Sequence, residues 1–211
     1  MESLWLLAAL LVPLAFFSRD YVLSEAVIAF VEVPKIALLR ILVAGVGMLW
    51  LVEWGLQGRL PLVSGFTGII TTVKLRGWLP KFVEWIRERP SRWVHLAVWL
   101  YLLTTFLSTA FSASFWVSLW GEVPGQDGFQ AYNIAAYLLL FGAIATHLKT
   151  KSQLWRLMGV IVVMGTLAGG YGVAQSYGRD FLGLMEPAEA SRVTMATGNA
   201  VFAGSMMLMP I

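Results

Sequence analysis

The feature that most constrains this chain is its series of long apolar stretches, separated by short polar segments. Hydrophobic residues make up 58% of its 211 residues and charged residues only 13%, whereas soluble domains carry about 25% charged residues. A helix that crosses a bilayer needs about 20 apolar residues, and several stretches meet this requirement. The sequence therefore predicts an all-α, polytopic transmembrane helical bundle with about six spans, the last one truncated at residue 211.

The apolar stretches give the predicted positions of the spans. Complete spans are predicted at residues 4–17, 36–56, 94–112, 132–146 and 157–177, and a sixth starts near Thr197. The first is expected to be a short membrane helix, because a cleaved signal peptide has a basic start and a small-residue cleavage site. Residues 115–130 are expected to form a loop, since Pro and Gly punctuate their GEVPGQDG portion.

The orientation follows from the charge of the loops. Residues 57–93 carry seven basic side chains and two acidic ones, and basic residues concentrate in cytoplasmic loops. Aromatic and basic residues alternate at helical spacing inside this loop, which predicts an amphipathic helix on an anionic membrane surface. The N-terminus is then cytoplasmic and residues 178–196 form a periplasmic loop. Lys35 and Arg40 fall on the outer side, against the charge rule.

Several kinds of chemistry find no support in the sequence. Without cysteine there is no disulfide and no thiolate site, and the motifs of nucleotide-binding loops, zinc proteases and nucleophile elbows are absent. His95 and His147 are interpreted as hydrogen-bonding residues near the cytoplasmic face. His, Asp and Glu do not cluster at ligand spacing, so no metal is predicted. We expect no cofactor and no nucleic acid partner.

Charged residues close to the hydrocarbon are the candidate site residues, because each costs about 2.5–3.5 kcal/mol to insert. Those on or near the outer side are Lys35, Arg40, Arg179 and Arg192. A guanidinium pairs with phosphate oxygens through two parallel hydrogen bonds, so this group is suited to a lipid diphosphate. The alternative is that Lys35 and Arg40 extend to the membrane surface while Arg179 pairs with a nearby acid.

Three segments carry a resemblance to a known family. The order YGVAQSYGRD, RVTMATGN and then a small-residue apolar helix resembles the membrane core of the bacterial O-antigen ligases and the related Wzy-type polymerases. The STAFSASFWVSLWG segment and the DYVLSEAV…VPK…LLR pattern are similar to their earlier regions. The matched positions are Gln175, Gly178 and Asp180 of Q-x-x-G-x-D, and Arg192, Thr197, Gly198 and Asn199 of an arginine followed by T-x-GN. Ala200 stands where the family usually has proline, and residues 122–128 lack its arginine.

The resemblance implies that residues 1–211 are the N-terminal transmembrane part of an inverting, metal-independent glycosyltransferase. Its members act in the bacterial inner membrane, moving a glycan from an undecaprenyl diphosphate carrier to a sugar or lipid acceptor. Arg192 would stabilise the departing diphosphate. The expected substrate-binding residues are Lys35, Arg40, Gln175, Arg179, Asp180, Thr197 and Asn199. The family's large catalytic loop, with its histidine, is expected beyond residue 211.

Two other classes remain open from the sequence. In half of a secondary transporter or channel, the glycine-rich fifth span would be a gating helix. In a non-catalytic membrane scaffold, Trp and Gly would serve packing alone. Gly165 and Gly169 lie four residues apart and share a helix face, so this face is predicted to pack closely against another span.

Overall fold

A computed structural model describes residues 1–17, 31–57, 91–121, 130–184 and 193–208. Within these residues the chain forms seven α-helices and one 3-10 turn, without a β-strand, so the predicted all-α class is confirmed for them. The helices are α1 (Glu2–Leu14), α2 (Val33–Gln57), α3 (Ser91–Ala110), α4 (Phe115–Trp120), α5 (Ala131–His147), α6 (Lys151–Ser176) and α7 (Ala200–Met207), with the 3-10 turn at Met195–Thr197. The amphipathic helix predicted within 57–93 falls outside the described residues.

Local hydrogen bonds explain where two of these helices begin. At the start of α6 the Thr150 hydroxyl accepts from the backbone N–H of Gln153, whose side chain accepts from the backbone N–H of Thr150. This reciprocal capping box satisfies two N–H groups that a helix start leaves unpaired. At α7 the side chain of Asn199 accepts from the N–H of Val201 at 2.9 Å, so the helix starts at Ala200 rather than near Thr197. The prediction of a continuous loop at 115–130 was wrong, because α4 lies within it.

Two helices are long and apolar enough to cross a membrane. They cover Val33–Leu56 and Lys151–Ser176, with mean hydropathies of 2.0 and 1.8, whereas Glu2–Leu14, Leu96–Ala110 and Ala131–His147 are apolar but shorter. Length and composition alone do not distinguish such helices from the core of a soluble protein or a signal sequence. The two helices differ from a typical soluble core in their burial. Only 22% and 28% of the residues in their 18-residue apolar windows are buried within the chain.

The outer surface of the bundle is strongly apolar. Large hydrophobic side chains are exposed along α2, α3, α5 and α6, among them Ile41, Met48, Trp99, Phe106 and Val163. Soluble monomers rarely expose continuous apolar patches larger than a few hundred Å². These helices therefore need a partner surface or lipid around them, which supports membrane association.

The termini of the long helices gather at two opposite ends of the bundle. Arg156 donates to Glu2 at 2.6 Å, which joins the starts of α1 and α6. His147 lies 2.8 Å from Glu53, which joins the ends of α2 and α5. We call this the first end. The second end holds the start of α2, the start of α5, the end of α6 and the 3-10 turn. Helices α2 and α5 therefore run parallel, although they are not consecutive.

Helix α1 lies between α2 and α6 and packs on both. Its Val12 contacts the cluster formed by Leu39, Val43 and Ala136, while its Leu10 and Leu14 contact the cluster of Met164, Ala168 and Met206. Trp5 and Ala8 are almost fully buried. Because the two faces of α1 cover different neighbours, this short helix joins the two halves of the bundle.

Small residues on α6 allow the 3-10 turn and α7 to approach it closely. A Cβ added at Gly169 would lie 3.2 Å from the Met207 side chain, and one added at Gly172 would lie 2.9 Å from Met195. Gly165, on the same face as Gly169, is also buried. Gly169 on this face thus lies against a side chain of α7, whereas packing of the face against another membrane span stays a prediction.

Replacing Gly172 by leucine should destabilise the protein, because the new side chain has no room beside Met195. We expect Gly172→Leu to lower the free energy of unfolding by about 1–3 kcal/mol, as overpacked sites do. Thermal melting of the purified protein in detergent measures the effect. The matched control is Gly170→Leu, since a Cβ at Gly170 meets nothing within 4 Å. Equal melting temperatures for the two variants would contradict close packing at Gly172.

Candidate functional site

The site residues predicted from the sequence that the structure describes lie at or near the second end of the bundle. They are Lys35 and Arg40 on α2, Gln175 on α6, Arg179 and Asp180 after α6, and Thr197 and Asn199 before α7. Arg192, the predicted catalytic residue, lies outside the described residues. It directly precedes Val193 in the sequence.

The Q-x-x-G-x-D pattern forms the end of α6. The N–H of Gly178 donates to the carbonyl of Gln175, and the N–H of Arg179 donates to the carbonyl of Ala174. These two bonds form a Schellman motif, which needs a left-handed residue just beyond the helix. Gly178 supplies it with a φ of 73°. The glycine of the pattern therefore has a conformational role.

Gln175 anchors the segment that follows Arg192. Its side chain is 2% exposed, and its Oε1 accepts from the backbone N–H of Met195 at 2.7 Å. Met195 has a φ of 49°, a left-handed conformation that costs a non-glycine residue about 1–2 kcal/mol. A buried, fixed acceptor holds the backbone in this conformation. The Gln175 amide nitrogen is buried and makes no hydrogen bond of ordinary geometry.

Lys35 on α2 binds the same backbone segment, residues 195–196, that Gln175 binds from α6. Its ammonium group donates to the carbonyl oxygen of Ala196, so a residue at the start of α2 binds a residue 161 positions later. Thr194, next to these contacts, is 1% exposed and its hydroxyl has no hydrogen-bond partner. We define Lys35, Gln175, Thr194, Met195 and Ala196 as the Lys35 cluster.

Thr197 and Asn199 have local structural roles in this arrangement. The Thr197 hydroxyl lies 2.7 Å from the carbonyl of Thr194 and 2.8 Å from that of Asn199, and it donates within the turn. The Asn199 side chain caps α7. Gly198, between them, has a φ of 70°. The T-x-GN pattern therefore forms a turn and a helix start. The side chains of Thr197 and Asn199 both make hydrogen bonds to the backbone there.

Asp180 and Arg179 differ in their surroundings. Asp180 accepts a hydrogen bond from the Tyr171 hydroxyl, which ties the segment after α6 back onto that helix. Tyr171 also packs in a core cluster with Val31 and Leu184. Arg179 is exposed. Two of the acids considered as its partners, Glu186 and Glu189, lie outside the described residues, so the predicted ion pair of Arg179 stays a prediction.

Arg40 belongs to a second group of polar residues at the start of α5. Its Nε donates to Oδ1 of Asn133 at 2.9 Å, and its guanidinium carbon lies 4.9 Å from the centre of the Tyr132 ring. Asn133 is fully buried and donates to Gln130. The Nη2 of Arg40 is buried without a hydrogen-bond partner. We define Arg40, Gln130, Tyr132 and Asn133 as the Arg40 cluster.

The structure brings Lys35 and Gln175 together around one segment but directs Arg40 to a different neighbour. Positions 35 and 40 lie about 7.5 Å apart along α2 and about 140° apart around its axis. The two clusters therefore share the second end without forming a single group. In both, donors or hydroxyl groups are buried without partners, which is costly unless a ligand or water satisfies them.

Sequence reasoning missed the polar residues that face Arg40. Asn133 and Gln130 stand at the start of an otherwise apolar helix, AYNIAAYLLL. A buried amide within such a stretch needs a hydrogen-bond partner, and this signal was available in the sequence. What the sequence does not contain is the identity of that partner, which lies 93 positions away on α2.

The described residues contain no metal site, and comparison with known proteins identifies no relative of the chain. Within the described ranges, no three His, Asp or Glu side chains come close enough together to hold a metal ion. No family model, no curated protein and no solved structure matches the chain. The resemblance to the O-antigen ligases therefore depends on the quoted motifs alone.

Replacing Asn133 by leucine should destabilise the bundle, because it removes the acceptor for a partly buried guanidinium. We expect Asn133→Leu to lower the free energy of unfolding by about 1–3 kcal/mol, measured by denaturant titration of the protein in detergent. Phe141→Leu, two turns later and exposed on the same helix, is the control and should stay close to wild type. A wild-type stability in Asn133→Leu would mean that the Arg40 contact contributes little.

Proposed function

We propose that this chain is part of a membrane glycosyltransferase similar to the O-antigen ligases. In this proposal a glycan moves from an undecaprenyl diphosphate carrier to a sugar or lipid acceptor at the outer face of the bacterial inner membrane. The reaction forms a glycosidic C–O bond and breaks the C–O bond to the diphosphate, which leaves with the electron pair. The proton of the acceptor hydroxyl passes to water or to the departing diphosphate.

The observation that carries the proposal is the attachment of the segment after Arg192 to two helices. Lys35 on α2 binds the carbonyl of Ala196, and Gln175 on α6 binds the N–H of Met195. Arg192 lies three residues before Met195 in the sequence. A catalytic arginine needs a rigid support, because electrostatic stabilisation depends on donors that are fixed before the reaction. The two attachments fix the backbone three and four residues after Arg192 in the sequence.

The chemistry of the nearby side chains suits an anionic leaving group. A guanidinium forms two parallel hydrogen bonds with phosphate oxygens, and the ammonium group of Lys35 adds positive charge at the same end. The buried hydroxyl of Thr194, still without a partner, is a further donor. Arg40 has a free Nη2, so the carrier's second phosphate or the first sugar is the group we assign to it.

The proposal requires the second end to face the periplasm and the first end to face the cytoplasm. The basic loop supports this orientation, because its seven cationic residues lie between the end of α2 and the first turn of α3, and basic residues concentrate in cytoplasmic loops. The polytopic topology with about six spans is part of the same proposal. Helices of 13 and 17 residues, such as α1 and α5, then cross a bilayer that thins locally around them.

The orientation is tested by fusing a compartment-sensitive reporter at four positions. Fusions at Gly77 and Thr150 should report the cytoplasm, and fusions at Gly125 and Glu189 should report the periplasm. The reason is that the first pair lies between helices that meet at the first end, and the second pair between helices that meet at the second. Exchange of the two pairs would reverse the orientation and remove the site from the outer face.

Transfer itself is tested by changing Arg192. We expect Arg192→Ala to reduce glycan transfer by about 100-fold, since loss of one donor to a developing anion has this effect. Arg192→Lys should also impair transfer, because it keeps the charge but loses the forked donor. The measurement is glycan attached to acceptor lipid, in a bacterial strain that lacks its own ligase and carries the full chain.

The control for this experiment is Arg156→Ala. Arg156 lies at the first end, exposed and bound to Glu2, so its loss should leave transfer unchanged. Membrane levels of all variants are compared by immunoblot. Full transfer by Arg192→Ala at a normal protein level would show that Arg192 is not catalytic.

A further inference from the structure

His147 and Glu53 form a contact at the first end whose geometry requires a proton. Nδ1 of His147 lies 2.8 Å from the carbonyl oxygen of Ala143. A carbonyl oxygen only accepts hydrogen bonds, so Nδ1 carries a hydrogen. Nε2 of the same ring lies 2.8 Å from a carboxylate oxygen of Glu53, and an ionised carboxylate also only accepts. Both contacts are therefore hydrogen bonds only when both ring nitrogens carry a hydrogen.

The second hydrogen lies on the histidine, because an imidazole is a stronger base than a carboxylate. When this proton is lost, the lone pair of Nε2 faces a carboxylate oxygen at hydrogen-bond distance, and the two repel each other. The ring has little freedom to turn away. Its Nδ1 is held by Ala143, and the Trp50 ring meets it edge-on at 5.9 Å between the ring centres. Loss of the proton therefore moves Glu53 and His147 apart.

The contact joins α2 to α5 across 94 positions of the sequence. At the second end the same helices are joined by Arg40 and Asn133, and a guanidinium does not lose its proton in proteins. The buried apolar cluster between the two helices, which holds Leu39, Val43 and Ala136, also lies toward the second end. Loss of one proton thus affects one end of this helix pair and leaves the other end joined.

We propose that His147 and Glu53 form a pH-sensitive tie that closes the first end of the bundle. While the ring carries both hydrogens the tie holds the ends of α2 and α5 together, and when one proton leaves, these ends separate. A histidine in an unfolded chain releases its proton at about pH 6.5. Above this pH the folded chain with its tie closed binds a proton that the unfolded chain has lost, so the free energy of unfolding falls as the pH rises.

The tie does not depend on the proposed transfer reaction. The Lys35 and Arg40 clusters lie at the second end, whereas His147 and Glu53 lie at the first. The tests of the tie measure protonation, stability and a distance, and none of them measures transfer. Failure of either proposal therefore leaves the other standing.

Other charged groups lie near this pair and are separated from it by a matched variant. In the described part of the chain those near the first end are the amino group of Met1, Glu2 on α1, Arg92 and His95 on α3, Lys149 before α6, and Lys151 and Arg156 on α6. Imidazole and α-amino groups are the classes that titrate near neutral pH. Both His95 and the amino group remain in Glu53→Gln, so a comparison of this variant with the wild type isolates the pair.

The protonation state is read by nuclear magnetic resonance of the full chain in detergent, with isotopically labelled histidine nitrogens. The chain has two histidines, and His95→Gln assigns their signals. At about pH 7 we expect both ring nitrogens of His147 to carry hydrogen in the wild type. In Glu53→Gln we expect a hydrogen on Nδ1 alone, because the new amide donates to Nε2 and a neutral ring satisfies both contacts.

Thermal melting measures what the tie contributes to stability. We expect the melting temperature of the wild type to fall by about 2–4 °C relative to Glu53→Gln when the pH is raised from about 6 to about 8.5. Glu2→Gln is the matched control, since it also removes an acid at the first end, where Glu2 is bound to Arg156. It should keep the pH dependence of the wild type. His147→Gln should lose this dependence, because its amide donates to Glu53 at any pH.

The separation of the helix ends is measured with two spin labels. The chain contains no cysteine, so Leu56→Cys and Lys149→Cys, both at exposed positions, provide the attachment points. We expect the distance between the labels to increase by about 2 Å over the same rise in pH, a usual size for helix shifts in switching proteins. With Glu53→Gln added to the labelled pair, the distance should stay constant.

Three results would overturn the proposal. A His147 ring with a single hydrogen in the wild type at about pH 6 would mean that the contact forms without the second proton. Equal dependence of the melting temperature on pH in the wild type and Glu53→Gln would mean that the pair binds no extra proton in the folded chain. A label distance that stays constant while the ring loses its proton would mean that other contacts hold the helix ends.

Discussion

Two hydrogen bonds from helix side chains to one backbone segment determine the structure of the second end. Gln175 and Lys35 come from helices that are far apart in the sequence, and both bind consecutive residues of the turn before α7. A backbone segment between apolar helices must find partners for its N–H and C=O groups. These two side chains supply them, and the left-handed conformation of Met195 is kept as a result. How the turn before α7 meets α6 follows from this attachment, while the Asn199 cap determines where α7 begins.

The positions of the helices could be predicted from the sequence, whereas their pairing could not. Apolar stretches longer than ordinary loops predicted α2, α3 and α5 to within three residues, because only a helix satisfies its own backbone in hydrocarbon. Helix α6 was predicted as well, but it begins six residues before its predicted start. The short helix α4 was missed because its FWVSLW segment is also typical of an interfacial loop. The parallel pairing of α2 with α5 depends on contacts across about 90 residues, such as Arg40 with Asn133, and no local pattern encodes it.

The candidate site was predicted in part, for a physical reason. Charged residues in apolar surroundings are expensive, so Lys35 and Arg40 stood out in the sequence, whereas Gln175 was identified only through the Q-x-x-G-x-D pattern. The described structure places all three at one end of the bundle. Their roles were less evident. Gln175 and Asn199 act on the backbone, and Arg40 acts on α5, because side chains five residues apart on a helix face different neighbours. A sequence pattern identifies the polar residues that cost free energy in apolar surroundings. It does not show in which direction their side chains point.

The position of α1 between α2 and α6 has a consequence for assembly during synthesis. One face of α1 meets α2 within the first 50 residues, and the other meets α6 only after residue 150, as the pair Glu2 and Arg156 shows. Until α6 emerges, Leu10 and Leu14 remain uncovered by protein. Chains are made from the N-terminus at about 5–20 residues per second. The face of α1 that packs on α6 therefore stays uncovered for several seconds during synthesis. The first helix made is thus among the last to complete its packing, because this face is covered only once α6 and then α7 have docked.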